Sequence, residues 1–217
     1  MLEIKNLQLC HSQTNICENL NLTLAKGEIF GLVGPSGVGK SSLIKAIAGV
    51  MPLKSGAIYW QGQIWSKKQQ VLALEKRGLG LVLQDPALFP HMTVQQNMAF
   101  GLTGLPKKEQ QARIIEMLAL VEMTGFEQRY PHELSGGQAA RIALARSLAP
   151  NPKLLLLDEP FANLDNDLSI RIIERLHGFF EHNKTSVLLI THELKEAQLL
   201  CNRILSFTAN GLQPLAA

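Results

Sequence analysis

The sequence has no apolar run longer than four or five residues, far short of the ~20 that a membrane-spanning helix needs. Nor does it have a run of lysine and arginine, and 21 basic against 18 acidic residues leave a formal charge of +3. So balanced a charge argues against a nucleic-acid partner and against a membrane-binding surface of the chain's own. Cysteine is scarce. Cys10, Cys17 and Cys201 form an odd, scattered set without metal-ligand spacing, which reads as buried thiols in a reducing compartment and not as a disulfide framework. The opening residues, MLEIKNLQLC, lack a basic segment followed by an apolar block, so no signal peptide is expected. Internal repeats and low-complexity segments are absent. These absences together leave a soluble, cytoplasmic protein as the expectation.

What is present is apolar: 46% of the 217 residues, enough for one large domain or one domain with an inserted lobe. Residues 2–9 and Glu18–Leu24, with Leu20, Leu22 and Leu24 alternating with polar residues, predict half-buried strands. Glu28–Val33 reads as a short buried strand, and Ala57–Trp65 as a hairpin turning at Gln61-Gly62. Residues 66–70 read as a surface loop and Gly78–Gln84 as a further strand. From there the character changes. Phe89–Pro106 is marked by proline and glycine with short helical pieces. Lys107–Met123 predicts an amphipathic helix whose apolar face is Ile114, Ile115, Leu118 and Val121. A second helix within Leu134–Ala149 is ended by Pro150-Asn151-Pro152. Strand signals return at Lys153–Leu157, Ser186–Ile190 and Arg203–Phe207, separated by helices at Leu168–Phe180 and Glu193–Cys201. Strands alternating with helices imply an α/β fold with a parallel sheet covered on both faces. The helix-rich stretch of about 88–150 would be a lobe inserted into a core of about 1–87 and 151–217.

Two stretches carry chemistry. GPSGVGKS, Gly34 to Ser41, fits G-x-x-x-x-G-K-[ST] between an apolar strand and a helix with Leu43, Ile44, Ile47 and Ala48 on one face, the context that pattern requires. Its glycines let backbone N–H groups close around phosphate oxygens at a positive helix end. Gly34, Pro35, Ser36, Gly37, Val38, Gly39, Lys40, Ser41 and Ser42 would therefore bind a nucleotide. Lys40 would reach the β- and γ-phosphates, and the Ser41 hydroxyl would ligate Mg²⁺. In LLLLDEP, Leu154 to Pro160, four leucines predict a strand buried on both faces. Asp158 and Glu159 then emerge at its C-terminal end, where open α/β sheets bind ligands. Asp158 would hold Mg²⁺, and Glu159 would orient and deprotonate an attacking water.

With LSGGQ, Leu134 to Gln138, standing between these two, the chain resembles the ATP-binding subunits of ABC transporters from residue 2 to about residue 210. The resemblance implies a phosphate-loop NTPase core, with a RecA-like parallel sheet and an N-terminal antiparallel β part, plus an inserted α-helical lobe. It implies ATP hydrolysis with Mg²⁺ in a head-to-tail dimer, with a second copy or a paralogous subunit. There Ser135, Gly136, Gly137 and Gln138 would face the partner's ATP, and Asp165, in the sequence Ala162-Asn163-Leu164-Asp165, would lie in the loop crossing the interface. Gln84 matches the glutamine that touches Mg²⁺ and the attacking water and joins the two lobes. His192 matches the switch histidine beside the γ-phosphate. The adenine-stacking aromatic falls on His11, whose smaller ring implies looser adenine binding. Two positions depart from the common pattern: the loop lacks its usual serine, and Thr191-His192-Glu193 replaces Thr-His-Asp.

The stretch Asp85–Leu102 resembles Phe-Pro-His-x-Thr-Val-x-x-Asn of bacterial importer subunits for ferric ion, molybdate, thiamine or polyamines. Transmembrane permease subunits would dock near Gln84–Leu102, where Phe89, Met92 and Met98 would either suit a helix groove or belong to the lobe core. An extracytoplasmic solute-binding protein would complete the complex, holding this chain on the inner face of the membrane. Ending at Ala217, the chain resembles the shorter forms. An exporter or lipid-handling complex, or a non-transport ABC ATPase, remains the alternative.

Overall fold

Alternating apolar residues at the start of the chain build an antiparallel sheet, and the apolar blocks that follow build a buried parallel one. The computed structural model describes residues 1–11, 14–208 and 211–215, with His11 and Thr14 described by backbone alone. The antiparallel sheet contains β1 (Leu2–His11), β2 (Thr14–Leu24), β4 (Ser55–Trp60), β5 (Gln63–Lys67) and β6 (Gln70–Val71), in the order β2-β1-β4-β5-β6. The second sheet contains β3 (Ile29–Val33), β7 (Gly80–Val82), β8 (Leu154–Asp158), β9 (Ser186–Thr191), β10 (Arg203–Thr208) and β11 (Gly211–Pro214). Its order is β11-β10-β3-β9-β8-β7, parallel except for the β10–β11 pair.

The leucine run of β8 shows how the layers form. Leu154 and Leu156 face the antiparallel sheet and α1 (Lys40–Ala48), together with Phe30, Leu32, Ile44 and Ile190. Leu155 and Leu157 face the other way, toward α5 (Asn166–Asn183) and α6 (Leu194–Leu200). A period of two on a strand covered on both sides demands an apolar residue at every position. The helices α2 (Val94–Ala99), α3 (Lys107–Leu120) and α4 (Gly136–Leu148) are inserted between β7 and β8, which pair directly. Their apolar faces join the α5 side of the sheet in one continuous core.

The hairpin at Gln61-Gly62 is as expected, with both residues at positive φ, the backbone of a two-residue turn between twisted strands. Other expectations are corrected. Within 66–70 only Lys68-Gln69 form an exposed turn: β5 runs on through Lys67, β6 begins at Gln70, and Ser66 is buried, accepting a hydrogen bond from Arg77. The strand of Gly78–Gln84 shrinks to Gly80–Val82, because Gly78 turns at φ +59° and the chain leaves the sheet after Val82. In α3, Ile115 is 47% exposed and Met117 takes its place in the buried face with Ile114 and Leu118. Steps of three and four residues keep a helix face, whereas Ile115 lies 100° away from Ile114. Met98 is fully buried in the core and cannot line an exposed groove.

Candidate functional site

β3 ends at Val33 and α1 begins at Lys40, so residues 34–39 must turn sharply beneath the helix N-terminus. Gly39 does this at φ +108°, where a Cβ would collide with Ile16, and a Cβ on Gly34 would collide with the Phe207 carbonyl. No side chain caps α1, which leaves its first N–H groups directed at the space above the turn. Lys40 is buried, and its ammonium donates to Gly34 O at 2.7 Å and Pro35 O at 2.9 Å. Burial pushes the Lys40 pKa down, against the opposing pull of the Glu159 and Asp158 carboxylates.

Asp158 stands at the end of β8 and is also buried. Ser41 Oγ donates to its Oδ1 at 3.0 Å. Burial pushes the Asp158 carboxyl above its ordinary value, the Ser41 hydrogen bond works against that, and the neighbouring Glu159 adds to it. A hydroxyl and a carboxylate placed together are hard oxygen donors of the kind Mg²⁺ prefers, too few to hold it without further oxygens from a phosphate substrate. Among the described residues no group of three or more His, Cys, Asp or Glu side chains could hold a metal by itself. The donor set therefore fits Mg²⁺ brought with a nucleotide.

Glu159 makes the turn out of β8 in the left-handed region, at φ +50°, and its N–H donates to Ile190 O at 2.8 Å. His192, just beyond β9, brings Nδ1 to 3.4 Å from Glu159 Oε2. Thr191 steadies this corner: its hydroxyl donates to Glu196 Oε2 at 2.6 Å and accepts from the Glu193 N–H at 3.0 Å. Burial raises the Glu196 carboxyl pKa, with the Thr191 hydrogen bond opposing. Ser36, Gly37, Gly39, Lys40, Ser41, Ser42, Gln84 and Glu159 together line one cleft of about 250 Å³. A larger hollow of about 700 Å³ beside α3 is a poorer place for an anion. Its Arg113 is committed to Leu148 O, Ala149 O and Glu116, and Glu109 adds a further carboxylate.

The other expected residues lie outside this cleft. Ser135 caps α4, its Oγ accepting from the Gln138 N–H at 3.3 Å while Gln138 Oε1 accepts from the Ser135 N–H at 2.9 Å. Asp165 caps α5 by accepting from the Leu168 N–H at 2.9 Å. Gly137 packs so tightly that an added Cβ would lie 2.6 Å from Asn163 O, so the Ser135–Gln138 turn and the loop before Asp165 touch within one chain. Pro35 and Val38 belong to the turn itself, and Val38 packs on the core between the sheets. The side chain of His11 lies outside the described residues. Sequence reading missed Thr191 and Glu196 as a pair, although Thr191 flanks His192. Asn97 entered the sequence reading only as the last residue of the Phe-Pro-His-x-Thr-Val-x-x-Asn pattern and Arg146 not at all, yet both hold the segment after Gln84.

A family profile described as ABC transporter matches residues 17–162. The chain is 44% identical over 206 residues to the putrescine transport ATP-binding protein PotG of Escherichia coli, covering 94% of this chain and 54% of that protein. It is 41% identical over 191 residues to the Fe(3+) ions import ATP-binding protein FbpC of Streptomyces coelicolor, covering 87% and 54%. The chain thus spans about half the length of these curated relatives. Among solved structures, the dimeric structure of MJ0796, described as a bacterial ABC transporter cassette, matches over the full length of both chains. The TM-score is 0.87 at 26% identity.

Proposed function

The chain belongs to the ABC transporter family, and from that premise we propose that it binds and hydrolyses ATP to power a bacterial importer of a small solute. The observation that carries this reading is the meeting of Lys40, Ser41, Gln84 and Glu159 around one cleft, with Asp158 and His192 bonded or adjacent to them. The relatives named for putrescine transport and Fe(3+) import support the importer direction, and the matched dimeric structure supports a dimer, which we take to be head-to-tail.

The geometry supports a division of labour. The N–H groups of residues 34–42 and the Lys40 ammonium hold the phosphates of ATP. Ser41 and Asp158 would hold Mg²⁺, which when bound neutralises charge on the β- and γ-phosphates during transfer. Glu159 takes the proton of the attacking water, and His192 keeps that carboxylate in place. Gln84, which lines the same cleft, orients the water. Ser135, Gly136, Gly137 and Gln138 meet the γ-phosphate of the partner's ATP, because the cap takes the Ser135 and Gln138 N–H groups and leaves those of Gly136 and Gly137 at the positive helix end for an anion. Asp165 lies at the same interface, so neither site is complete in a monomer.

The core of about 1–87 and 151–217 would carry the nucleotide, and the lobe of about 88–150 would carry the partner contacts. Permease subunits would dock near Gln84–Leu102, where Phe100 is 58% exposed and its ring lies 4.7 Å from that of Phe89, tilted by 52°. Among the described residues no helix is long and apolar enough to cross a membrane, so attachment to the inner membrane face would come through those subunits, with a solute-binding protein outside. Phosphate release from ATP by the purified chain tests the reading. It should rise more steeply than linearly with protein concentration and vanish in Lys40→Ala. Turnover that persists in that variant would overturn the proposal.

A further inference from the structure

The chain leaves the parallel sheet after Val82, passes Gln84 and reaches α2 through residues 85–93, which form no helix or strand. Two side chains from outside that segment hold it. Asn97, fully buried, accepts from the Phe89 N–H at 2.8 Å and donates to Phe89 O, Met92 O and Thr93 O, each at 3.1 Å. Arg146, on α4, donates through Nη1 to Ala87 O at 3.0 Å and to Asn97 Oδ1 at 3.4 Å. Its guanidinium also sits 5.4 Å from the centre of the Phe89 ring.

The contact at Ala87 matters most. Ala87 has φ +44°, a left-handed backbone that a residue with a Cβ adopts only when its surroundings hold it there. Arg146 bonds the carbonyl of that same residue. Burial lowers the Arg146 pKa, and no ion pair between Arg146 and a carboxylate occurs among the described residues. Its charge is therefore directed at neutral oxygens and a ring, which ties its position to theirs. Arg146 stands on the same helix that Ser135 caps, about 15 Å along the axis. The helix is unbroken from Gly136 to Leu148, so its hydrogen-bonded turns link the two ends mechanically.

We propose that Arg146 is a positioning residue for Gln84: it fixes the exit of the Gln84 segment to α4, so that Gln84 and the Ser135–Gln138 turn move as one body. This rests on the ATPase reading above. Displacing one then displaces the other, and a closed dimer sets Gln84 against the attacking water only while the strut holds.

The test compares Arg146→Met and Arg146→Lys, each also in a Gln84→Ala background. Hydrogen exchange should speed up across 85–93 in Arg146→Met and stay unchanged across 34–42. The kcat for ATP should fall roughly 10- to 100-fold, the scale of a misplaced catalytic group, with KM little changed. Arg146→Lys should recover part of both. Adding Arg146→Met to Gln84→Ala should cost nothing further, because the two act through one group. Unchanged exchange across 85–93 in Arg146→Met overturns the proposal, as do losses that multiply in the double variant. A wild-type chain without ATP turnover removes the ATPase reading instead, while the exchange measurement still decides whether Arg146 holds the segment.

Discussion

Ser41 Oγ donates to Asp158 Oδ1 across 3.0 Å, joining two residues that stand 117 positions apart in the sequence. The bond connects the first turn of α1 to the end of β8, and it is where the glycine-rich turn and the acidic strand end become one site.

The Asp158 carboxyl is held above its ordinary value mainly by burial. A folded-state pKa above the unfolded one means that the folded protein binds this proton more tightly. Its ionised form therefore destabilises the fold increasingly as pH rises from the ordinary value of 3.8 through the raised one, and the effect is absent below both. Asp158→Asn keeps an oxygen to accept from Ser41 and removes the charge. The variant should melt higher than wild type at neutral pH, the gain shrinking as pH falls, and it should hydrolyse ATP at least roughly 100-fold more slowly. Added Mg²⁺ with ATP should stabilise wild type and not the variant. Melting curves across pH decide this: a variant that melts lower than wild type at neutral pH refutes the burial argument.

Glu159 holds a left-handed backbone at φ +50°, which costs a residue with a Cβ about 1–2 kcal/mol. Its N–H bond to Ile190 O and the adjacent His192 fix that turn. Glu159→Gln preserves shape and strain but cannot take a proton. Turnover should drop by about 10²–10⁴ at unchanged melting temperature, and ATP should now trap a dimer visible by size-exclusion chromatography. Undiminished hydrolysis would end the assignment of Glu159 as the base.

The phosphate-binding turn, the capped helix after Leu134 and the strand before Asp158 were legible because each is a local pattern. Glycine at a forced φ, a serine before a helix and an unbroken leucine run all write backbone geometry into adjacent residues. Arg77 and Arg146 were not legible, because each binds main-chain carbonyls of distant segments. A carbonyl has no residue type, so no sequence pattern announces it. Ile115 was misplaced for a related reason: an apolar residue on the flank of a helix face is told from one within it only by what packs there.

Arg77 is the clearest structural case. It is buried, its pKa is lowered to about 10 by that burial, and it donates to Leu72 O, Ile47 O, Trp65 O and Ser66 Oγ. It thereby fastens the end of α1 to the antiparallel sheet. Arg77→Met leaves those acceptors unpaired in the interior, at ~1–3 kcal/mol for each one that water cannot reach. A loss of about 3 kcal/mol or more is expected in urea denaturation, with ATP affinity of the folded fraction unchanged. A loss under about 1 kcal/mol, the scale of an ordinary surface change, would contradict it.

Ser135 carries two roles that substitution can separate. In the monomer its hydroxyl caps α4 through the Gln138 N–H; in the proposed dimer it meets the phosphate of the partner's ATP. Aspartate caps a helix as well as serine does and adds a favourable charge at the positive helix end. Ser135→Asp should therefore melt at or above the wild-type temperature and bind ATP as a monomer with unchanged affinity. Set against a partner's triphosphate, the same carboxylate repels, so Glu159→Gln/Ser135→Asp should no longer form the ATP-trapped dimer. The neutral cap Ser135→Asn should retain more of it. If the aspartate variant instead loses monomer affinity for ATP, Ser135 acts on its own chain's nucleotide, and the shared site would have to be redrawn.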